Sequence, residues 1–401
     1  MPRCSRRRRT SEISPAPRSR IHKGQVNSEP RLRRVASVKR DRPVSPHKGQ
    51  ASYTQIWVYG ALARRLAQST LGGMRQARIK IAATESEATY HCVTRTVNGE
   101  WLFDDAAKEV LRHQIWQVAD YCGVFVVTYA ILSNHFHVLL HVPQRGPVAD
   151  AELLRRYRVL YPKPTRHQSA RLEVIEAELA VDGPNAVAWR RGQISLMGDV
   201  SSYMKLLKQR FSIWFNKSHR RFGTLWAERF KSTLIETACG FRQTAAAYID
   251  LNCVRAGLVA DPKDYRFCAY AEAVAGNVAA RQGILYMTGG KTWEDAQAHY
   301  REVLFGTGAG AREGAATIPA AELQRVIDEG GRLPLATVLR CRLRYFTDGA
   351  VLGSRAFVEA QLARYRQKTG RRERTAPRAL PAWMDLDEWA SLRGLRQRAF
   401  G

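Results

Sequence analysis

The 401-residue chain reads as an α+β protein built on an antiparallel sheet, and three observations predict it. Apolar residues alternate in "ATYHCVTR" and "HFHVLLHV". They recur at helical spacing in "DDAAKEVLRHQIWQVADYCG". The order strand–helix–strand–strand fills about seventy residues, the beginning of an α+β domain with antiparallel pairing.

Taken in order, residues 1–50 are rich in Arg, Ser and Pro and poor in aromatics. Such a segment buries too little apolar surface to offset its ordering entropy, so it is expected to be a disordered basic arm. Residues 51–75 form a lead-in, and Met74 opens a more ordinary sequence. A strand over "ATYHCVTR" ends at Asn98-Gly99, a pair that favours the turn of a hairpin. Asp104 or Asp105 caps the following helix, Val110, Leu111, Ile115, Val118 and Ala119 form its apolar stripe, and Gly123 ends it. "VFVVTYAIL" and "HFHVLLHV" are strands broken at Ser133-Asn134.

Beyond them lie a charged helical stretch over 150–180, the basic amphipathic helix "SSYMKLLKQRFSIWFNKSHRR", a short strand in "GTLWAERFKSTLIE" and a helix through "AAAYIDLNCVRAGLV" that ends near Gly257. Residues 76–275 are taken as one domain and the Gly- and Ala-rich 276–330 as a linker with short helices. Residues 331–401 are expected to be a helical C-terminal unit. Within it, 333–367 reads helix–turn–helix, with Ser354 capping the second helix and Arg355, Arg364 and Arg366 facing out.

The formal charge is +28, and residues 1–50 carry fifteen Lys/Arg against three Asp/Glu, so the excess continues into the folded part. A polyanionic partner follows, nucleic acid first. No apolar run approaches the roughly 18 residues of a membrane span, and the N-terminus lacks the apolar core of a signal peptide. The seven cysteines contain no CxxC pair, which argues against a structural zinc site and a disulfide framework. A reduced, cytoplasmic and nucleoid-associated protein is expected.

His135 and His137 stand two apart in an apolar strand and therefore on one face, with Cα atoms about 6.5 Å apart. Phe136, Val138, Leu140 and Val142 make the opposite, core face, so the histidines are expected to turn away from the core. Either they grip a metal ion or they are hydrogen-bonded histidines on a half-exposed strand. His141 shares their face about 13 Å from His137, too far for an easy first ligand shell. On the later helix, Tyr248 and Asn252 are one turn apart. An amide oxygen can ligate a divalent ion, and a phenol beside such an ion can lose its proton and attack phosphorus. Tyr203, in the basic helix, is a rival nucleophile with only Leu207 four residues on.

His-Phe-His after "LSN", a helix ending "YIDLNCVRAGLV", then "DPKDYRF", together resemble the single-tyrosine HUH transposases, the insertion-sequence enzymes and their REP-associated (RAYT) relatives. "YHCVTRTVNGEWLF" and the Trp-x-x-Arg-Phe of "GTLWAERF" are similar to further family segments, over about 80–270. Cys253 stands where the family often has proline, and the stretch between the histidine strand and the tyrosine helix is longer than in minimal members.

The resemblance implies a ferredoxin-like (RRM-like) sheet with helices, a metal held by His135, His137 and Asn252, and Tyr248 as nucleophile. It implies cleavage and rejoining of single-stranded or hairpin DNA through a 5′-phosphotyrosine, with Mg²⁺ or Mn²⁺ as the cofactor. No small-molecule cofactor is expected, and the protein is expected to be a monomer or homodimer. The alternative is a domesticated protein that binds such hairpins without cutting. A replication initiator forms the same link, but the chain has no GxxxxGK[ST] loop. Expected DNA contacts are Lys205, Lys208, Arg210, Arg229, Lys231 and Arg255, with Trp226 among the interleaved aromatics, since basic groups with aromatics suit phosphate contact and base stacking.

Overall fold

A computed structural model describes residues 78–163, 171–306, 334–340, 345–348, 350–370, 376–380 and 389–392. The arm at 1–50 and the lead-in at 51–75 lie outside the described residues. The alternating segments form β1 (Ala88–Arg95), β2 (Phe125–Ile131) and β3 (His135–Val142), with β4 at Lys231–Ile235. Helix α1 (Asp105–Cys122) joins β1 to β2. The Asp104 carboxylate accepts from the Ala107 amide at 2.7 Å, and Gly123 closes the helix at φ 60°, a conformation that favours glycine. β3 and β4 are joined by α2 (Asp150–Leu160), α3 (Leu172–Val181), α4 (Pro184–Ile194) and α5 (Val200–Ser218).

β1 lies between β3 and β4, β3 between β1 and β2, and all three pairings are antiparallel. The hairpin expected after Asn98-Gly99 does not form. That pair makes a tight turn with both residues at positive φ, but the chain then enters α1, and β1 finds its partners elsewhere in the sequence.

The tyrosine segment is α6 (Cys239–Asp250), running almost directly into α7 (Asn252–Arg255). After α8 (Ala269–Val274), the described part of the stretch expected as a linker with short helices forms α9 (Val278–Thr288) and α10 (Trp293–Phe305), and 307–330 lie outside the described residues. Helix α9 packs directly on β2, with Gly283 so close that a Cβ there would collide with the Val127 carbonyl. Small residues mark close packing as well as linkers, as Gly283 shows.

The C-terminal region is not wholly helical either. Short helices α11 (Leu335–Arg340) and α12 (Tyr345–Asp348) lead to β5 (Val351–Ser354), then α13 (Arg355–Thr369), β6 (Arg378–Ala379) and β7 (Trp389–Leu392). Ser354 caps α13 as expected, accepting from the Phe357 amide at 3.2 Å, but a strand precedes it rather than a helix–turn. β5 pairs in parallel with β4, so the sheet is mixed, with seven strands among the described residues in the order β2-β3-β1-β4-β5-β7-β6.

Both faces of this sheet are covered. α1 and α5 lie on the face of Phe136, Val138 and Leu140, with Phe103, Phe211, Phe215 and Trp226 between them. The face of His137 and His141, expected to be turned from the core, is buried as well, under α6, α9 and α12.

Candidate active site

Antiparallel register places His91 opposite Leu139 and Val93 opposite His137, so His91 and His137 are diagonal neighbours on one face. Their rings stack with centroids 5.1 Å apart, and His91 Nε2 lies 2.8 Å from His137 Nδ1. The ring of His135 is edge-on to His137 at 5.2 Å. Three imidazoles therefore form one cluster, where two were expected.

Helix α6 brings Tyr248 to this cluster: its ring centroid is 6.2 Å from that of His91. α6 packs on β2, β3 and β4 and is pinned by Asp250, whose carboxylate accepts from Thr128 of β2 at 2.7 Å and from Tyr300 of α10 at 2.5 Å. Burial pushes the Asp250 carboxyl up to about 7, partly offset by those two hydroxyl donors. Asn252 keeps its one-turn relation to Tyr248 despite the break at Leu251. Its amide nitrogen donates to the carbonyls of Ile249 and Tyr248 at 3.0 and 3.2 Å, so its oxygen points off the helix. Cys253, where a proline would have removed an amide, donates its thiol to the Asp250 carbonyl and leaves the helical path intact.

The donor set suits a divalent ion. Asn134 donates its NH₂ to the Gly99 carbonyl at 2.9 Å, which turns its oxygen, 2.6 Å from His135 Nδ1, into an acceptor. His135 then donates from Nδ1, and in the neutral ring the lone pair is left on Nε2. Burial, reinforced by the charges of neighbouring histidines and arginines, holds His137 well below the usual imidazole range, hence neutral as a ligand must be. Among the described residues no three His, Cys, Asp or Glu side chains close into a metal cage.

Two further groups close the site. The Phe346 ring stacks on Tyr248 at 4.5 Å and 18°, leaving Tyr248 only 5% exposed, and the Phe346 carbonyl meets His91 Nδ1 at 2.7 Å. Arg255 lies with its guanidinium carbon 4.1 Å from the centre of the Tyr248 ring and donates to the carbonyls of Tyr248 and Leu339.

The structure sorts the other expected residues. His141 is occupied with Tyr286 at 2.8 Å and stands apart from the cluster. Tyr203 is fully buried in the opposite core, donating to the Ile115 carbonyl, and burial raises its phenol well above the ordinary range, which removes it as a nucleophile. Arg255 is turned inward onto Tyr248, so it organises the site and does not offer a surface contact. Trp226 is likewise a core residue: it donates to Ser212 and packs on Phe103, Phe136 and Phe211.

Lys208 donates to the Glu228 carbonyl, and burial lowers it to about 8; Arg210 donates to the Leu160 carbonyl. Lys205 and Arg229 are exposed, and Lys231 pairs with Glu228 at 3.4 Å. Trp101 and Phe222, 83% and 97% exposed, sit on adjoining loops tied by Arg221 and Glu100. These loops adjoin the end of the sheet where His135 lies.

His91, Asp250, Phe346 and the inward role of Arg255 were missed from sequence. Asp250 left a signal, a lone carboxylate in the apolar run "AAAYIDL". His91 left a weaker one, and Phe346 none. No helix among the described residues is long and apolar enough to cross a membrane. No family model and no curated protein matches the chain. Among solved structures it is similar to a REP-associated tyrosine transposase bound to a REP hairpin, at 15% identity and a TM-score of 0.30, covering 52% of this chain and 88% of that one.

Proposed function

We propose that the chain is a metal-dependent, single-tyrosine transposase or endonuclease that cuts and rejoins single-stranded DNA at hairpins. The observation that carries this reading is the convergence of Tyr248 with the His91–His137–His135 cluster, with Asn252 one turn further on. The β–α–β–β–α–β order, with sheet order β2-β3-β1-β4, supports the ferredoxin-like assignment that the motifs imply.

His135, His137 and Asn252 would hold Mg²⁺ or Mn²⁺, which when bound polarises a non-bridging phosphate oxygen. The Tyr248 phenol oxygen attacks phosphorus, the P–O3′ bond breaks, and the phenol proton ends on the departing 3′-oxygen. The products are a 5′-phosphotyrosine and a free 3′-OH. Because one phosphodiester replaces another, a 3′-OH can reverse the step and join strands with no external energy source. The motif resemblance supplies the hairpin, and the charge of +28 suits the polyanion.

The alternative, binding without cleavage, is favoured by one observation: Tyr248 is capped by Phe346. The two separate on a denaturing gel after incubation of the protein with a 3′-labelled single-stranded hairpin and Mn²⁺. The transposase reading expects a labelled protein band. Tight binding with no such band establishes the alternative.

A further inference from the structure

We propose that Arg95 and Lys231 grip one phosphate of a DNA strand between them, over Val93 and against His137, and that this is the phosphate Tyr248 attacks. The second half of the statement rests on the transposase reading above; the first half does not need cleavage to occur.

Register puts the two cations there. Val93 of β1 lies opposite His137 of β3 on one side and opposite Lys231 of β4 on the other, and Arg95 lies opposite His135. Side chains two apart on a strand share a face, so His135, His137, Arg95 and Lys231 ring Val93 on the face that carries the histidine cluster. Strands are about 4.8 Å apart, which sets the Lys231 and His137 backbones roughly 10 Å from each other with Val93 between them. That span admits a phosphate, with an imidazole on one flank and a flexible lysine stem reaching in from the other.

The same face is closed further in and open here. His91 and Thr233 are 1% exposed, Leu139 0% and His137 3%, whereas Val93 and His135 are half-buried, the Lys231 side chain is 40% exposed and Arg95 is exposed. The covering helices thus stop at the row of Val93. Tyr248 stands just inside that edge, beside His91. A strand that comes to Tyr248 from solvent over this face passes between Arg95 and Lys231.

The chemistry suits a phosphodiester. Arg95 offers a planar fork of donors to two phosphate oxygens, and Lys231 adds a point charge. The contact of Lys231 with Glu228, 3.4 Å long and exposed on both sides, is weak enough for a phosphate to displace. Arg255, the other cation at Tyr248, is committed to two main-chain carbonyls and to the face of the ring.

Fluorescence anisotropy of a labelled oligothymidylate, with EDTA present, reads the grip in the full-length protein. Arg95→Ala and Lys231→Ala should each weaken binding several-fold. The double variant should fall short of the product of the two effects by about threefold or more, because both side chains act on one phosphate. Arg95→Lys, which keeps the charge, should recover part of the loss. Combined with Lys205→Ala, on α5 against the opposite face of the sheet, each loss should simply multiply. The second arm is adduct formation with Mn²⁺ at saturating hairpin DNA, where Arg95→Ala should be about tenfold or more slower than wild type. Losses that multiply for the Arg95–Lys231 pair, variants that bind as wild type does, or a wild-type adduct rate in Arg95→Ala at saturation each overturn the proposal. Coupled losses with no adduct in wild type itself leave the grip standing and end the transposase reading.

Discussion

Phe346 and Tyr248 lie ring on ring, 4.5 Å between centroids, although one belongs to the C-terminal region and the other to the helix on which the candidate chemistry depends. The stack couples the fold of the C-terminal region to access at Tyr248, the proposed nucleophile. Phe346→Ala removes the ring and keeps the carbonyl that His91 needs. The variant is expected to lose about 3 kcal/mol of stability by denaturant unfolding and to form the DNA adduct faster than wild type at a temperature where both are folded. An adduct rate equal to or below wild type would show that the ring does not gate Tyr248.

Arg255 separates a buried organiser from a surface contact. Its guanidinium bridges two buried carbonyls and covers the Tyr248 ring. Arg255→Ala leaves those carbonyls unpaired, and a stability loss of roughly 2–4 kcal/mol is expected. The salt dependence of DNA binding should not change. Filter binding across a salt series checks this: a slope lowered by about one charge would return Arg255 to the DNA surface.

Exposed Arg229, Lys205 and Phe222 carry the opposite expectation. Arg229→Ala and Lys205→Ala should each weaken binding to single strands and shallow the salt slope, while leaving the unfolding midpoint within about 0.5 kcal/mol of wild type. Phe222→Ala should weaken binding by about 1–3 kcal/mol if a base stacks on it, with no change in slope. Fluorescence anisotropy with an unpaired-tailed hairpin measures all three.

Asp250 makes a prediction about pH. Its folded-state value of about 7 lies above that of an unfolded carboxyl, so its contribution is fully present at pH below about 4 and is lost as pH rises toward 7 and beyond. Asp250→Asn should therefore gain stability relative to wild type between pH 5 and pH 8, by up to about 4 kcal/mol. Thermal melts of both proteins across that range read the difference. A gap that narrows with rising pH would contradict the burial argument.

The elements legible in the sequence were those whose signal is local. Alternation in "HFHVLLHV" marks β3, and Gly123 ends α1 where expected, while its cap is Asp104, the first of the two aspartates offered. Asn252 remains one turn from Tyr248, because i and i+4 are adjacent whatever the tertiary fold.

What escaped depends on register and on distant chain. His91 joins the cluster only because β1 pairs with β3 at Val93–His137, and no local pattern encodes that offset. The second face of β3 was taken as open because its histidines look polar, yet helices from beyond residue 238 cover it. Trp226 and Arg255 were assigned by residue type; type does not say which way a side chain points.

The central claim is that Tyr248 Oη attacks DNA. Mass spectrometry of the trypsin-digested adduct tests it directly, since the segment Gln243–Arg255 carries Tyr248 as its only tyrosine. A nucleotide mass on that peptide, absent in Tyr248→Phe, is the expected result. An adduct on any other residue, or one that persists in Tyr248→Phe, would contradict the account.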